Sequence, residues 1–271
     1  MDNQLNDYYK SKGISAIDFN CPHFPECSQT SPATFITAKE AFVSSGYIQH
    51  TLPRLLFLSA DPGREEKDPN LKTVEGLRIW EEEKENIHRI SKNKPWYRTH
   101  EFAHTILSQF QPELAFEDVR HYFAHTNSAK CCINNPQCSK AETILFNNCC
   151  EFIPEEVRIL DPDIIITQGY YAKLAIIDAF SILEKPNFIP DAFAEVKVVQ
   201  INEHPVLVIE TFHPRHASYH LVNCSRCPQY VEIAKQFVES NIRTQTKTIT
   251  HPAPRKITVK SEKTKVIVEK K

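Results

Sequence analysis

Short, largely apolar runs that stop abruptly at a polar or turn-forming residue constrain this chain most. PRLLFLSA (53–60) ends at Asp61-Pro62-Gly63, DIIITQ (163–168) at Gly169, and VLVIET (206–211) at Phe212-His213-Pro214. None approaches the ~20 residues that cross a bilayer. Runs of this length and character are strands buried on both faces. VRHYFAHTNSA (119–129) and VKVVQI (196–201) read as further strands. Helical spacing fills the gaps: a short helix over 35–50, a charged amphipathic stretch from Leu71 to about Lys92, 99–110, 141–160 closed by Pro162, the residues after Gly169, and 228–240. Strands alternating with helices predict an α/β fold, a three-layer α/β/α sandwich around a central, mostly parallel four- to five-stranded sheet. Sites in such sheets lie beyond the carboxyl ends of the strands. Four ends here carry suitable residues: Asp61-Pro62-Gly63, Thr126-Asn127, Gln168-Gly169 and His213-Pro214.

Composition narrows the chemistry. The 271 residues include only five glycines, which excludes Gly-rich phosphate loops. The polar N-terminus MDNQLNDYYKSKG carries no secretory signal, so a cytoplasmic, nucleoid-associated location is expected. Nine cysteines in such a chain point to metal binding or chemistry rather than disulfides. Net charge is −2, yet residues 241–271 hold nine Lys/Arg against two Glu, a net of +7, which leaves −9 on the first 240. We expect one monomeric domain over 1–240 with an N-terminal Cys-containing segment, then a basic, flexible tail over 241–271. The tail is suited to a phosphate backbone, or is simply solvated.

LLFLSADPG, EDVRHYFAHTNSAKC, CCEFIPEEVRILDPDIIITQG and VLVIETFHP occur in an order that resembles the uracil-DNA glycosylase superfamily. The likeness is to its iron–sulfur branch, often called family four. That branch has a Gly-Glu-Ala-Pro-Gly turn, Thr-Asn-x-x-Lys-Cys, a downstream Cys, an apolar strand ending in Gly, and Thr-(Phe/Tyr)-His-Pro. The resemblance implies a monofunctional DNA glycosylase that flips a base from DNA, hydrolyses its N-glycosidic bond and leaves an abasic site. No lysine stands out as a Schiff-base nucleophile. Asp61 is the candidate carboxylate. The iron–sulfur branch has Glu one position earlier, where this chain has Ala60, and Asp61 instead matches the Gln-Asp-Pro-Tyr turn of family-one enzymes. Asp61 would stabilise the oxocarbenium-like sugar and orient water; its structural alternative is a turn-former before Pro62. His213 would donate to the departing base, or else be a satisfied core histidine. Asn127 offers one donor and one acceptor to a pyrimidine edge, or caps a strand end.

Gly63 stands where family-one enzymes place the Tyr that excludes C5 substituents. The Phe that stacks on the base in the iron–sulfur branch is missing, which leaves Trp80, Trp96 or Tyr97 for that task. Arg215, His216 and His220 could bond hydroxyls of a large substituent. Uracil and a C5-modified pyrimidine are therefore both candidate substrates, the latter including the glucosylated hydroxymethylcytosine of phage DNA, in an anti-phage role. A non-catalytic, metal-containing nucleic-acid-binding module is the rival from another class.

By the same resemblance, Cys21, Cys27, Cys131 and Cys149 are the ligands of a structural [4Fe–4S] cluster, with zinc as the alternative. Cys132, Cys138 and Cys150 lie near enough to replace one of them. Cys224-x-x-Cys227, after His216 and His220, could hold a second metal. One motif points elsewhere: His100-Glu101-Phe102-Ala103-His104 is H-E-x-x-H, a zinc-peptidase signature. No extended signature follows it, and a surface or DNA-facing helix is the alternative reading.

Overall fold

A computed structural model describes residues 1–29, 34–62, 68–133 and 142–248. Gly63, Cys138 and residues 249–271 of the tail lie outside them. The main sheet is built from β2 (Phe42–Val43), β3 (Leu55–Ser59), β4 (Phe123–Asn127), β6 (Ile164–Gln168), β7 (Ile182–Leu183), β8 (Val196–Ile201) and β9 (His204–Thr211). Its order is β2-β4-β3-β6-β9-β8-β7, while β1 (Phe35–Ile36) and β5 (Cys132–Ile133) pair with each other. The central four strands, β4, β3, β6 and β9, are parallel, and antiparallel partners flank them. The expected parallel core is thus present, but the sheet has seven strands rather than four to five, because antiparallel β2 is added at one side and β8 and β7 at the other.

Period-two alternation divides the apolar runs between two cores. Leu56, Leu58, Ile165 and Val208 face α1 (Asp2–Ser11), α6 (Thr143–Cys149), α7 (Ile153–Leu160) and α8 (Tyr170–Ile177). Leu55, Phe57, Ile164, Ile166 and Ile209 face α5 (Pro95–Leu107) and α9 (Cys224–Thr248). Burial on both faces is why β3 and β6 carry so few polar residues, and three layers result. The smaller helices α2 (Phe24–Cys27), α3 (Ser45–Gln49) and α4 (Val74–Ile79) lie in the N-terminal half.

Several expected elements are divided. The stretch 35–50 forms β1, β2 and α3, because Ser44 stops β2 and caps α3 by accepting from the Tyr47 amide at 3.4 Å. Leu71 to Lys92 is no continuous helix. Thr73 caps α4, a π turn over Trp80–Lys84 carries Glu81 inward, and Asn86 starts a separate 3-10 turn. Of 119–129, only Phe123–Asn127 is strand. The 141–160 segment breaks between α6 and α7, where Pro154 lacks the amide that an unbroken helix needs. The last helix exceeds 228–240 at both ends.

Candidate active site

Parallel register sets four strand ends abreast: Asn127 beside Ser59, Ser59 beside Gln168, and Gln168 beside Thr211. Asp61 and His213 each stand two residues beyond this row, past the ends of β3 and β9. These strands are separated by β6, about 10 Å at the usual strand spacing. Between them β6 turns into α8 through Gly169, whose φ of +109° favours glycine. A Cβ there would lie 3.5 Å from the His213 Cβ, so this turn abuts the histidine. The segment after Asn127 holds the backbone that leads to Asp61. Ser128 donates its amide to the Ser59 carbonyl (2.9 Å) and its hydroxyl to the Ala60 carbonyl (2.9 Å), and the Ala129 amide donates to Ala60 (2.8 Å). Asp61 and Pro62 are half-buried, and Asn127 is buried.

His213 is half-buried. Desolvation, helped by the charges of Arg215 and His216, lowers its pKa to about 4, so it is neutral at ordinary pH. Its Nδ1 accepts from the Arg215 amide at 3.2 Å, which leaves the proton on Nε2. His213 is therefore a neutral donor. Arg215, His216 and His220 are all exposed beyond it.

Behind the row runs a buried polar chain that sequence reasoning missed. Every link has the same sense. His125 Nε2 donates to Ser59 Oγ (2.8 Å), Ser59 to Gln168 Oε1 (2.6 Å), Gln168 Nε2 to Thr99 Oγ1 (3.0 Å), and Thr99 to the Pro95 carbonyl (3.1 Å). Burial holds His125 neutral. The chain ties β4, β3 and β6 to α5. The only hint in the sequence was polar residues in otherwise apolar strands. Trp96 packs edge-on against His125 at 5.0 Å, so of the three stacking candidates it is the one beside this chain. Trp80 is exposed and bonds Glu85, and Tyr97 is buried on Phe116.

On the other face of β4, Lys130 donates to Glu156 (2.5 Å) and Thr126 (2.6 Å), and the Tyr9 hydroxyl of α1 donates to Glu156 (2.5 Å). The Lys130 amide in turn donates to Cys149 Sγ at 3.3 Å. Cys149 lines one cavity together with Cys21, Cys27 and Cys131. The one-turn helix α2 folds the five-residue gap between Cys21 and Cys27, so both reach the same space. Asn148 Nδ2 donates to Cys27 Sγ at 3.3 Å. Burial raises the pKa of all four thiols, that of Cys149 to about 11. Cys132 lies in β5 and does not line the cavity, and Cys150 is exposed, bonding the Asn147 carbonyl of its own helix.

The Uracil DNA glycosylase superfamily model matches residues 45–238. The chain belongs to this superfamily. The match spans all four strand ends, Asp61, Asn127, His213, Cys131 and Cys149, and begins after Cys21 and Cys27. No curated protein matches the chain.

The H-E-x-x-H motif of this glycosylase-superfamily chain is absorbed into packing. His100 is buried rather than on a surface helix. Its Nδ1 donates to the Trp96 carbonyl (2.9 Å), and burial lowers its pKa to about 4. His104 donates to the Leu114 carbonyl (2.9 Å), and Glu101 pairs with Arg98 (2.7 Å). Cys224 and Cys227 open α9, one exposed and one half-buried, with Glu101 in their field. Among the described residues no group of three or more His, Cys, Asp or Glu is disposed to hold a metal ion. H-E-x-x-H and C-x-x-C therefore assemble no such group, and what the four cysteines share is the lining of one cavity.

Proposed function

We propose that this protein is a monofunctional DNA glycosylase that hydrolyses the N-glycosidic bond of uracil or a C5-modified pyrimidine and leaves an abasic site. The observation that carries this is the placement of Asp61 and His213, each two residues past an aligned strand end, with Asn127 in the same row. A nucleotide flipped from DNA seats its base between Asn127 and His213 and its sugar by Asp61. The Asn127 amide pairs with the pyrimidine edge. As the glycosidic bond breaks, the Asp61 carboxylate stabilises the cationic sugar and orients the attacking water. His213 Nε2–H donates to the base oxygen, where negative charge grows. Lys130, three residues past Asn127, is held by Glu156 and Thr126, which supports water rather than an amine as nucleophile.

Cys21, Cys27, Cys131 and Cys149 would hold a [4Fe–4S] cluster. Two N–H donors already point at their sulfurs, as bound thiolates require. The four cysteines share the lining of one cavity, and four thiolates are the number a [4Fe–4S] cluster takes. Such a cluster would supply no chemistry to the reaction. It would join the N-terminal segment to α6 and the strand-end loop. A C5-substituted substrate is favoured by exposed Arg215, His216 and His220 beyond His213, which offer donors to sugar-like hydroxyls. The test is incubation with DNAs bearing uracil, 5-hydroxymethylcytosine or its glucosylated form, with mass spectrometry of released bases. Release of any one supports the proposal; release of the glucosylated base would assign a defence role.

The basic tail is proposed to contact DNA backbone. Residues 249–271 hold seven Lys/Arg and two Glu. Truncation after Thr248, which leaves α9 whole, should make the slope of log K against log salt shallower by several units, since each lost phosphate contact removes about 0.9. An unchanged slope in a binding titration would mark the tail as solvated.

A further inference from the structure

Seven large hydrophobic side chains are exposed among the described residues, and three of them, Tyr170, Phe212 and Leu221, lie on the segments that follow β6 and β9. Tyr170 is 67% exposed and follows Gly169, which abuts His213; Phe212, 43% exposed, precedes His213. Two exposed aromatic residues thus adjoin the proposed base donor, one through Gly169 and the other as its neighbour in the chain. Neither is a loose side chain. Tyr170 packs edge-on against Tyr171 (5.4 Å, 71°), which stacks flat on Phe146 (3.8 Å, 4°). Phe212 lies nearly parallel to His216 (5.3 Å, 13°). Its amide donates to Oδ1 of the buried Asn223 at 2.9 Å, which fixes the turn that presents the ring. Exposed rings next to a proposed site offer flat faces on which a base can stack. The exposed cation Arg215 stands two residues past His213.

We propose that Tyr170 and Phe212 form a stacking platform for unpaired bases flanking the target nucleotide, so that the protein prefers single-stranded DNA. A duplex hides the faces of its bases within the stack, whereas an unpaired strand can lay them on fixed rings while Arg215 meets its phosphate. This rests on the glycosylase reading for its choice of nucleic acid, but it concerns binding and needs no chemistry.

The test uses the full chain and a fluorescein-labelled oligonucleotide of ordinary bases, single-stranded or annealed to its complement, at one salt concentration. Anisotropy should show single strands bound at least about tenfold more tightly than duplex. Tyr170→Ala with Phe212→Leu should reduce that ratio to about two or less, with duplex affinity changed by no more than about twofold. Tyr170→Phe with Phe212→Tyr, which keeps both rings, should retain the preference. Equal loss of single-strand and duplex affinity, no initial preference, or no effect of removing the rings would each overturn the proposal. So would self-association of the chain that the same pair abolishes while leaving DNA binding unchanged. Ring-dependent binding of single strands with no base released from any substrate would sink the enzymatic reading and keep this one; base release with no dependence on the rings would do the reverse.

Discussion

Asp61→Asn is expected to lower base release at least about 100-fold, and His213→Ala to do the same, with melting temperatures close to wild type. Each substitution removes one electrostatic group that acts on charge present mainly in the transition state, and losses of that type are about 10²–10³-fold. Asn keeps the shape of Asp61 but removes its charge and one acceptor oxygen, so a large effect would report the loss of cation stabilisation and water orientation together. His213 contributes as a neutral donor, and its pH behaviour follows from that. Its pKa is lowered to about 4, so the neutral form dominates above pH 4 and the ordinary imidazole step near pH 6.5 should be missing from the pH–rate profile. Below about pH 4, protonation of Nδ1 would abolish the bond from the Arg215 amide and the rate should fall. Single-turnover rates from about pH 3 to pH 8 measure this. Near-wild-type rates in both variants would contradict the assigned roles.

The second large effect concerns the cysteines. Protein purified without oxygen should be brown and carry about four irons per chain. Cys149→Ala should lose the iron and lower the melting temperature by about 10 °C. That follows if losing this cross-link costs about as much as losing a native disulfide, about 2–5 kcal/mol. Base release per folded molecule should fall by less than tenfold, because the cavity lies beside Lys130 and α2 and not at the strand-end row. Cys150→Ala, at an exposed thiol turned to its own helix, should alter neither iron nor stability. Colourless protein with one zinc per chain, or folded protein without metal, would contradict the cluster.

What the sequence made legible was what local pattern controls. Continuous apolar runs marked β3, β6 and β9 because both faces of those strands are buried, and the polar residues that follow them marked the site. The edges were hidden for the opposite reason: β2 and β7 are two residues long and exist only through pairing with β4 and β8. The break between α6 and α7 was written in Pro154, but even helical periodicity on either side obscured it. The buried chain from His125 to Pro95 could not be read, since four polar residues distant in sequence meet only through strand register and α5. H-E-x-x-H shows the converse. Its spacing is right for a metal, yet both histidines donate to backbone carbonyls, which only the packing of α5 reveals. Cys21 and Cys27, with five residues between them in the chain, line one cavity because α2 turns the chain between them, which spacing alone does not show.

The most direct measurement is mass spectrometry of the small molecules released when the anaerobically purified full chain is incubated with a uracil-containing oligonucleotide, alongside one bearing glucosylated hydroxymethylcytosine. Free base in stoichiometric yield with an intact abasic strand, absent with Asp61→Asn, is the expected result. No free base from either substrate, with the wild-type protein folded and metal-replete, would contradict the assignment of these strand ends as a glycosylase site.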